Sequence, residues 1–187
     1  KSPIFVSHIP SVSWSKAILF KGKTPLTSKK KILSPGSLNK TLLRLRREGK
    51  SIAFTNGCFD ILHLGHIRYL EAAQRPDRVL VVGLNSDSSV KKIKGPGRPV
   101  TPQNQRVALI AALACVDYVT IFHETTPLKI IEALRPDILI KGSDWKAKEV
   151  VGADFVRSYG GKVEFIRYLK NFSTTKIIQS IIKKCQP

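Results

Sequence analysis

Two histidines separated by a leucine and a glycine are the residues of this chain best suited to phosphate chemistry. They are His63 and His66, and Gly65 lies between them. Two imidazoles at this spacing can donate hydrogen bonds to the oxygens of one phosphate without carrying a full positive charge. The glycine lets the backbone approach the same phosphate closely. The pattern predicts a site for a phosphate that gains negative charge during a reaction.

An ordinary surface position and a metal site are the other interpretations of these histidines. A zinc site requires a third ligand at recognisable spacing, and the sequence lacks the HExxH pattern of zinc peptidases. Asp60 could be recruited as a ligand, but no other residue nearby supports a metal. The phosphate interpretation is therefore favoured.

The residues around the histidines indicate a strand, a turn and a helix. Residues 51–54 form a short apolar run, and Ile67, Leu70 and Ala73 recur at helical spacing. The histidines therefore fall in the turn where the helix begins. Backbone N–H groups at a helix start are unpaired and favour a bound anion.

Short apolar strands alternate with helices over the rest of the chain. This order is typical of an α/β fold with a Rossmann-like, doubly wound parallel sheet of about five strands and helices on both faces. Ligands of such sheets bind at the carboxyl ends of the strands. The predicted strands are residues 51–54, 79–83, 118–122, 138–140 and 163–166. Of the five predicted helices, the first ends at Gly49, the second begins at His66, and the third covers residues 103–114. The fourth follows Pro127, and the fifth follows Ser173.

Three loops that follow predicted strands should converge at this edge of the sheet. They are the turn at His63, residues 85–87 and residues 141–144. Asp144 is predicted to bind ligand, because packing poorly explains a carboxylate on a glycine-containing loop after a buried strand. The alternative is that Asp144 caps a helix in the segment from Lys146.

A run of three hydroxyl residues precedes the last predicted helix. Ser173, Thr174 and Thr175 supply hydroxyls, and the helix start supplies N–H groups. Together they would form a cradle for the β- and γ-phosphates of ATP. The same residues are also what a plain helix N-cap requires, and both roles can hold at once.

Cationic residues lie in and beside a loop rich in glycine and proline, which covers residues 94–102. Lys94 could reach over a triphosphate, and Arg98 or Arg106 could bind either ATP or a sugar phosphate. Considered alone, each of the three would instead be a solvated surface charge.

Many further runs occur in the order found in one enzyme family. With the His63 to His66 signature, they make the chain resemble the HxGH nucleotidyltransferases, and in particular the adenylyltransferase domain of bacterial ADP-heptose synthesis. The resemblance covers about residues 36–184. The matching runs are residues 84–95, 98–100, 105–106, 116–117, 126–127, 135–145 and 173–178.

This resemblance implies a reaction and its substrates. The family transfers AMP from ATP to D-glycero-β-D-manno-heptose 1-phosphate and releases pyrophosphate, which makes ADP-heptose for lipopolysaccharide. A sugar phosphate oxygen needs no base to activate it, so catalysis would consist of alignment and charge stabilisation at the α-phosphate. Mg²⁺ would be carried with ATP and held largely by the nucleotide. A homodimer or higher homo-oligomer is expected.

The resemblance also implies roles for the residues at matching positions. His63, His66 and Lys94 would be catalytic. The nucleotide would be bound by the two histidines together with Asn56, Gly57, Phe59, Asp60, Gly65, Lys141, Gly142, Asp144, Ser173, Thr174 and Thr175. The sugar phosphate would be bound by Asn85, Asp87, Arg98 and Arg106.

Some departures from the family pattern bear on the substrate. The related glycerol-phosphate cytidylyltransferases carry an arginine before the Ser-Thr-Thr run, and here it is missing. Asn171 replaces a glycine common to both families, whereas residues 141–145 lie closer to the heptose form. ATP is favoured, and the alternative is a cytidylyltransferase acting on glycerol phosphate or on a related polyol or amino-alcohol phosphate.

The net charge of +19 raises a third hypothesis, a basic nucleic-acid-binding protein on a degenerate enzyme fold. Most of the excess lies early in the chain, since residues 1–50 carry 12 Lys and Arg against Glu48. Residues 1–34 are therefore predicted to be a flexible basic leader, and residues 35–187 to be the nucleotidyltransferase domain. Only 7% of the residues are aromatic and no stacking motif accompanies the basic leader, which disfavours specific nucleic-acid binding.

Composition fits a soluble enzyme domain in a reducing compartment. The chain has 187 residues, of which 42% are hydrophobic, and no apolar stretch approaches the length of about 18 residues needed for a membrane span. Cys58, Cys115 and Cys185 are odd in number and widely spaced, without a CxxC pair. The expected location is the cytoplasm, with no membrane partner.

Overall fold

The computed structural model describes residues 26–142, 150–167 and 172–185, and these form an α/β fold. Five strands make one sheet in the order β3-β2-β1-β4-β5, and every neighbouring pair is parallel. The predicted Rossmann-like architecture is therefore confirmed. The strands are β1 Ser51–Gly57, β2 Arg78–Asn85, β3 Tyr118–Phe122, β4 Ile138–Gly142 and β5 Lys162–Ile166.

Eight helices connect or precede these strands in the described part of the chain. They are α1 Ser28–Lys31, α2 Pro35–Arg47, α3 Leu64–Ala73, α4 Asp87–Lys94, α5 Gln103–Ala112, α6 Leu128–Leu134, α7 Ala153–Ser158 and α8 Thr174–Cys185.

The sheet is covered on both faces because its strands are apolar on both sides. Ile52 and Phe54 of β1 pack with α2, α6 and α7, whereas Ala53 between them packs with α3 and α5. All eight residues of β2 are buried. Such near-continuous apolar runs are characteristic of parallel strands with helices on each face.

Side-chain caps fix where the helices nearest the sheet edge begin. Ser34 accepts a hydrogen bond from the Ser37 backbone N–H at the start of α2, and Ser86 accepts one from the Ser89 N–H at the start of α4. Each cap satisfies one of the N–H groups that a helix start leaves unpaired.

Three short helices, α1, α4 and α7, were missed by the sequence analysis. Helix α4 begins at Asp87, in the stretch treated as a loop, and α7 lies between β4 and β5. Helix α4 opens with three polar residues and buries only Ser89 and Val90. Its apolar periodicity was therefore too short to indicate a helix.

The described end of the predicted leader, residues 26–34, contacts the domain. Lys31 is buried, and its ammonium group donates hydrogen bonds to the carbonyls of Leu113 at 3.0 Å and Val116 at 2.7 Å. The backbone N–H of Leu33 donates to the Val119 carbonyl at the β3 edge of the sheet. A lysine in a charged run gave no sign that it would reach buried carbonyls.

None of the described helices is long and apolar enough to cross a bilayer.

Candidate functional site

The site is a cavity of about 680 Å³ at the carboxyl ends of the strands. The strand order reverses between β1 and β4, because β2 lies on one side of β1 and β4 on the other. This is where ligands bind in open parallel sheets. The predicted site residues that line the cavity are Asn56, Gly57, Phe59, Asp60, His63, His66, Asn85, Lys94, Arg98, Lys141, Gly142, Ser173, Thr174 and Thr175.

His63 is the N-cap of α3, which explains why the two histidines are held together. Its Nδ1 accepts a hydrogen bond from the His66 backbone N–H at 3.3 Å. The two rings stack with centroids 3.7 Å apart and planes 16° from parallel. A nitrogen that accepts a hydrogen bond carries no proton, so the neutral His63 ring has its proton on Nε2.

Both imidazoles are held in the uncharged form. Burial lowers the pKa of His63, and burial with the nearby His63 lowers the pKa of His66 to about 3. Within the described residues, the buried Nδ1 of His66 has no hydrogen-bond partner. An unpaired buried polar atom costs free energy, so a bound ligand that completes this hydrogen bond would be favoured.

Two residues near the histidines, Phe59 and Gly65, allow close packing around the turn. Phe59 adopts a left-handed φ of 44°, and its ring lies 5.1 Å from that of His66. A Cβ on Gly65 would come within 3.0 Å of both His63 Nδ1 and Phe172 Cβ. Gly65 therefore lets the segment before α8 approach the histidine turn.

Lys141 lies at the end of β4, next to the histidine turn. Its ammonium group donates a short hydrogen bond to Oδ1 of Asn56, which is in the neighbouring strand β1. Burial lowers the pKa of Lys141 to about 8. The side chain is thus a half-buried cation at the point where the strand order reverses.

The start of α8 forms another wall of the cavity. Ser173 Oγ accepts a hydrogen bond from the Lys176 N–H at 3.2 Å, so the N-cap role considered from the sequence is present. The hydroxyls of Thr174 and Thr175 line the cavity at the same helix start. This helix is 12 residues long, and its first N–H groups can donate hydrogen bonds to an anion.

Arg106, predicted to bind the sugar phosphate, is instead fully buried beneath the site. Its guanidinium donates to the carbonyls of Cys58, Asn85 and Thr101 and to a carboxylate oxygen of Asp87. Its side chain does not line the cavity, and its direct contact with a ligand stays a prediction. The sequence does not show that the arginine of α5 faces the core.

Of the other residues predicted to bind the sugar phosphate, Asn85 and Arg98 line the cavity and Asp87 does not. Asn85 lines the cavity, and its side-chain amide donates to Ser89 Oγ at 2.9 Å. The Asp87 carboxylate is held by Arg106 at 2.8 Å, and its side chain is 43% exposed. Arg98 lines the cavity and pairs with Asp60 at 2.6 Å.

Asp60, predicted to bind the nucleotide, is occupied by contacts within the protein. Its side chain is 1% exposed and accepts hydrogen bonds from Arg98, Val100 and Thr101. Lys94, at the end of α4, lies on the cavity wall as expected. Asp144 falls outside the described residues.

Several cavity residues were not singled out from the sequence as ligand contacts. Thr125 and Thr126 follow β3, and Val150 and Val151 precede α7. Thr125 and Thr126 could have been found from their position after a parallel strand, by the reasoning applied to residues 85–87. The two valines follow no strand directly and gave no comparable signal.

A metal site built by the protein is not seen among the described residues, which contain no group of three or more His, Cys, Asp or Glu that could hold an ion. The buried carboxylate of Asp60 is already paired.

Comparison with known sequences identifies the family. The profile of the family described as Cytidylyltransferase-like matches residues 54–180, which contain all five strands except the start of β1. The chain belongs to the cytidylyltransferase-like family. The membership in a nucleotidyltransferase superfamily that its motifs predict is confirmed.

Relatives of this cytidylyltransferase-like chain include long proteins named "Bifunctional protein HldE". The protein from Syntrophotalea carbinolica is 51% identical over 148 residues, which cover 79% of this chain and 30% of the relative. The protein from Campylobacter jejuni subsp. jejuni serotype O:6 is 51% identical over 181 residues, covering 97% of this chain and 38% of the relative. The chain thus spans about a third of the length of these curated relatives.

A solved structure matches this family member in both fold and sequence. It is the lipopolysaccharide core biosynthesis protein from Thermoplasma volcanium, with a TM-score of 0.53 and 33% sequence identity. The match covers 65% of this chain and 98% of that protein.

Proposed function

We propose that this domain is an adenylyltransferase that transfers AMP from ATP to a sugar 1-phosphate, namely D-glycero-β-D-manno-heptose 1-phosphate. The products are ADP-heptose, used in lipopolysaccharide synthesis, and pyrophosphate. The observation that carries the proposal is the pair of stacked, uncharged histidines on a cavity that the start of α8 also lines. The identity of about half to the HldE proteins supports the choice of acceptor.

In the proposed reaction, a phosphate oxygen of the sugar 1-phosphate attacks the α-phosphorus of ATP. The bond between that phosphorus and the oxygen bridging to the β-phosphate breaks, and its electron pair leaves with pyrophosphate. The attacking oxygen is already anionic, so no side chain has to remove a proton. The protein contributes alignment of the reactants and stabilisation of charge as pyrophosphate leaves.

The histidines are suited to that stabilisation because they are fixed and uncharged. Nδ1 of His63 is used in capping α3, and its Nε2–H has no hydrogen-bond partner among the described residues, so Nε2–H can donate to a ligand. His66 supplies a second imidazole in contact with the first. Donors that are held in place before the reaction need no reorganisation as charge develops.

The triphosphate would lie between the histidine turn and α8. Thr174 and Thr175 supply hydroxyls, and the helix start supplies backbone N–H groups. Lys141 supplies a cation from β4, and Lys94 supplies another from the end of α4. The substrate would be the magnesium complex of ATP, in which the ion neutralises phosphate charge.

The alternative donor is CTP, with a polyol or amino-alcohol phosphate as acceptor. ATP is preferred in this proposal because the arginine that precedes the Ser-Thr-Thr run of the glycerol-phosphate enzymes is absent. The name of the matched family does not decide between the two nucleotides. The HldE protein from Campylobacter jejuni, which matches 97% of this chain, supports the proposal of ATP.

The test is a pyrophosphate-release assay in which ATP, CTP, GTP and UTP are each paired with heptose 1-phosphate and with glycerol 3-phosphate. ATP with heptose 1-phosphate should give the highest kcat/KM, by about tenfold or more over CTP, which is a difference of about 1.4 kcal/mol. Mass spectrometry should identify ADP-heptose as the product.

Two results would contradict the proposal. Equal use of ATP and CTP, or preference for glycerol 3-phosphate, would favour the cytidylyltransferase alternative. Absence of pyrophosphate release together with salt-sensitive binding of RNA or DNA would favour the nucleic-acid hypothesis. The exposed-residue variant His123→Ala serves as the control for protein quality in these assays.

A further inference from the structure

A set of buried charges joins the turn before His63 to the loop between α4 and α5. Its members are Asp60, Arg98 and Arg106. The side chains of Asp60 and Arg106 are 1% and 0% exposed. Buried charges are costly unless they are paired and hydrogen-bonded, and here each of these two has partners on the same short segment.

Asp60 holds that segment through both carboxylate oxygens. Oδ2 accepts a hydrogen bond from Arg98 Nε at 2.6 Å, and Oδ1 accepts from the backbone N–H groups of Val100 at 2.8 Å and Thr101 at 2.9 Å. One side chain thus fixes an arginine and the backbone that carries it.

Arg106 also holds this segment, but as a hydrogen-bond donor where Asp60 is an acceptor. Its Nε donates to the Thr101 carbonyl at 2.9 Å, so both backbone polar groups of Thr101 are bound. Its other nitrogens donate to the carbonyls of Cys58 and Asn85 and to Asp87. Arg106 therefore ties the segment to the ends of β1 and β2.

Arg98 is left with donors that can reach a ligand. Its Nε is used by Asp60, and no other hydrogen bond of its guanidinium occurs within the described residues. The side chain lines the cavity. The two remaining nitrogens present the paired N–H groups with which arginine binds a phosphate in bidentate fashion.

We propose that Asp60 and Arg106 are positioning residues that clamp residues 98–101 against the histidine turn and so hold Arg98 in place for the phosphate of the acceptor. This inference rests on the proposed function for the nature of the acceptor. It replaces the direct ligand contacts that the sequence suggested for Asp60 and Arg106.

A double-mutant cycle on Asp60 and Arg98 tests the clamp. Asp60→Asn keeps an oxygen for the two backbone N–H groups but places an N–H group against Arg98 Nε, which frees the arginine. Asp60→Asn and Arg98→Ala should each raise the KM for heptose 1-phosphate by about tenfold and change the KM for ATP by less than about twofold. The double variant should be no worse than Arg98→Ala alone.

Arg106→Lys should give the same loss of acceptor affinity, because one ammonium group cannot reach the four acceptors that the guanidinium contacts. The matched control is Asp154→Asn, which removes a carboxylate paired with Arg157 at 3.3 Å on the exposed surface of α7. It should leave both KM values unchanged.

Two results would overturn the clamp. In the first, the increases in the KM for heptose 1-phosphate caused by Asp60→Asn and Arg98→Ala multiply in the double variant. In the second, these substitutions raise the KM for ATP and leave the KM for heptose 1-phosphate unchanged. The preference for ATP or CTP is measured on the parent protein, so a preference for CTP refutes the proposed function and leaves the clamp to be tested. The KM values of the double-mutant cycle are then measured with CTP and the phosphate substrate that the parent protein uses with it.

Amide hydrogen exchange gives a test that does not depend on catalysis. Asp60→Ala removes the acceptor of the Val100 and Thr101 N–H groups, so these amides should exchange at least about tenfold faster. The amides of β3 should be unchanged. Unaltered exchange at Val100 and Thr101 would show that Asp60 does not hold the segment and would overturn the proposal.

Discussion

His63 accepts a hydrogen bond on Nδ1 from the backbone of His66, 3.3 Å away, while the two rings stack against each other. One side chain therefore starts the helix, sets the distance between the two imidazoles and fixes which nitrogen of its own ring bears the proton. The structural role and the proposed catalytic role can be separated by substitution, because capping needs only an acceptor.

His63→Asn should keep the cap and remove catalysis. Asparagine is among the best N-cap residues, but it lacks the ring Nε2–H that would stabilise the leaving pyrophosphate. We expect turnover to fall by about 100-fold or more, with a melting temperature close to that of the parent. His63→Ala should lose both turnover and stability. Near-normal turnover in the asparagine variant would remove His63 from the mechanism.

His66 should make the protein less stable in mild acid. Its pKa is about 3 in the folded protein against 6.5 for an ordinary histidine, so the unfolded chain takes up a proton that the folded protein excludes. The stability is fully present above pH 6.5 and is lost as the pH falls from there towards 3. Between pH 7 and pH 5 the loss from this residue should be about 2 kcal/mol.

Urea unfolding at the two pH values measures that loss. His66→Gln should flatten the pH dependence, whereas the exposed variant His123→Gln should not. The same slope in the parent and in His66→Gln would show that His66 is not the group excluded from protonation.

Lys141 should give the reaction an alkaline limit. Because its pKa is lowered to about 8, the cation that would face the triphosphate in the proposed reaction is lost as the pH rises through 8. We expect kcat/KM for ATP to fall above this pH, since that parameter reports groups of the free enzyme. Lys141→Met should lower kcat/KM at neutral pH and abolish its fall above pH 8. A fall of kcat/KM above pH 8 that persists in this variant must arise from another group.

Gly65→Ala should impair the site more than the fold. The added Cβ would lie 3.0 Å from His63 Nδ1 and from Phe172 Cβ, so the histidine and the segment before α8 would have to shift by a few tenths of an ångström. We expect kcat to fall by about tenfold or more, because such displacements are costly in catalysis. Gly36→Ala is the control, since a Cβ there meets nothing within 4 Å.

Lys31→Ala should destabilise the domain without affecting kcat. Its ammonium group donates to two carbonyls that close the connection between α5 and β3. Hydrogen bonds of this charged kind contribute about 1.5–3 kcal/mol. Removal of residues 1–34 should cause at least the same loss, and the exposed neighbour Lys30→Ala should cause none. Equal melting temperatures for Lys31→Ala and Lys30→Ala would contradict this.

The sequence was informative where residue type alone determines the outcome. Apolar runs of fixed length placed β1, β3 and β4, and the helical spacing of Ile67, Leu70 and Ala73 located the start of α3 within two residues. Turn chemistry and hydrophobic period are local properties, and they do not depend on the rest of the fold.

What the sequence could not show was which charges the fold would bury. Arg98 and Arg106 look alike in the chain, yet one lines the cavity and the other is enclosed beneath it. The distinction arises from the packing of α5 against β2 and β3, which no local pattern encodes. Lys31 likewise falls in the predicted flexible leader, yet its ammonium group reaches the carbonyls of Leu113 and Val116.

The contribution of α8 to the cavity wall also bears on how the domain matures during synthesis. Strands β1 to β4 and the histidine turn leave the ribosome long before Thr174, and domains begin to fold as their residues emerge. A nascent chain that stops before α8 could form the central strands and still lack the hydroxyls and helix N–H groups that would cradle the triphosphate in the proposed reaction. Nucleotide binding would therefore appear as a late and separate event, and stalled chains of increasing length would show the sheet folded before ATP is retained.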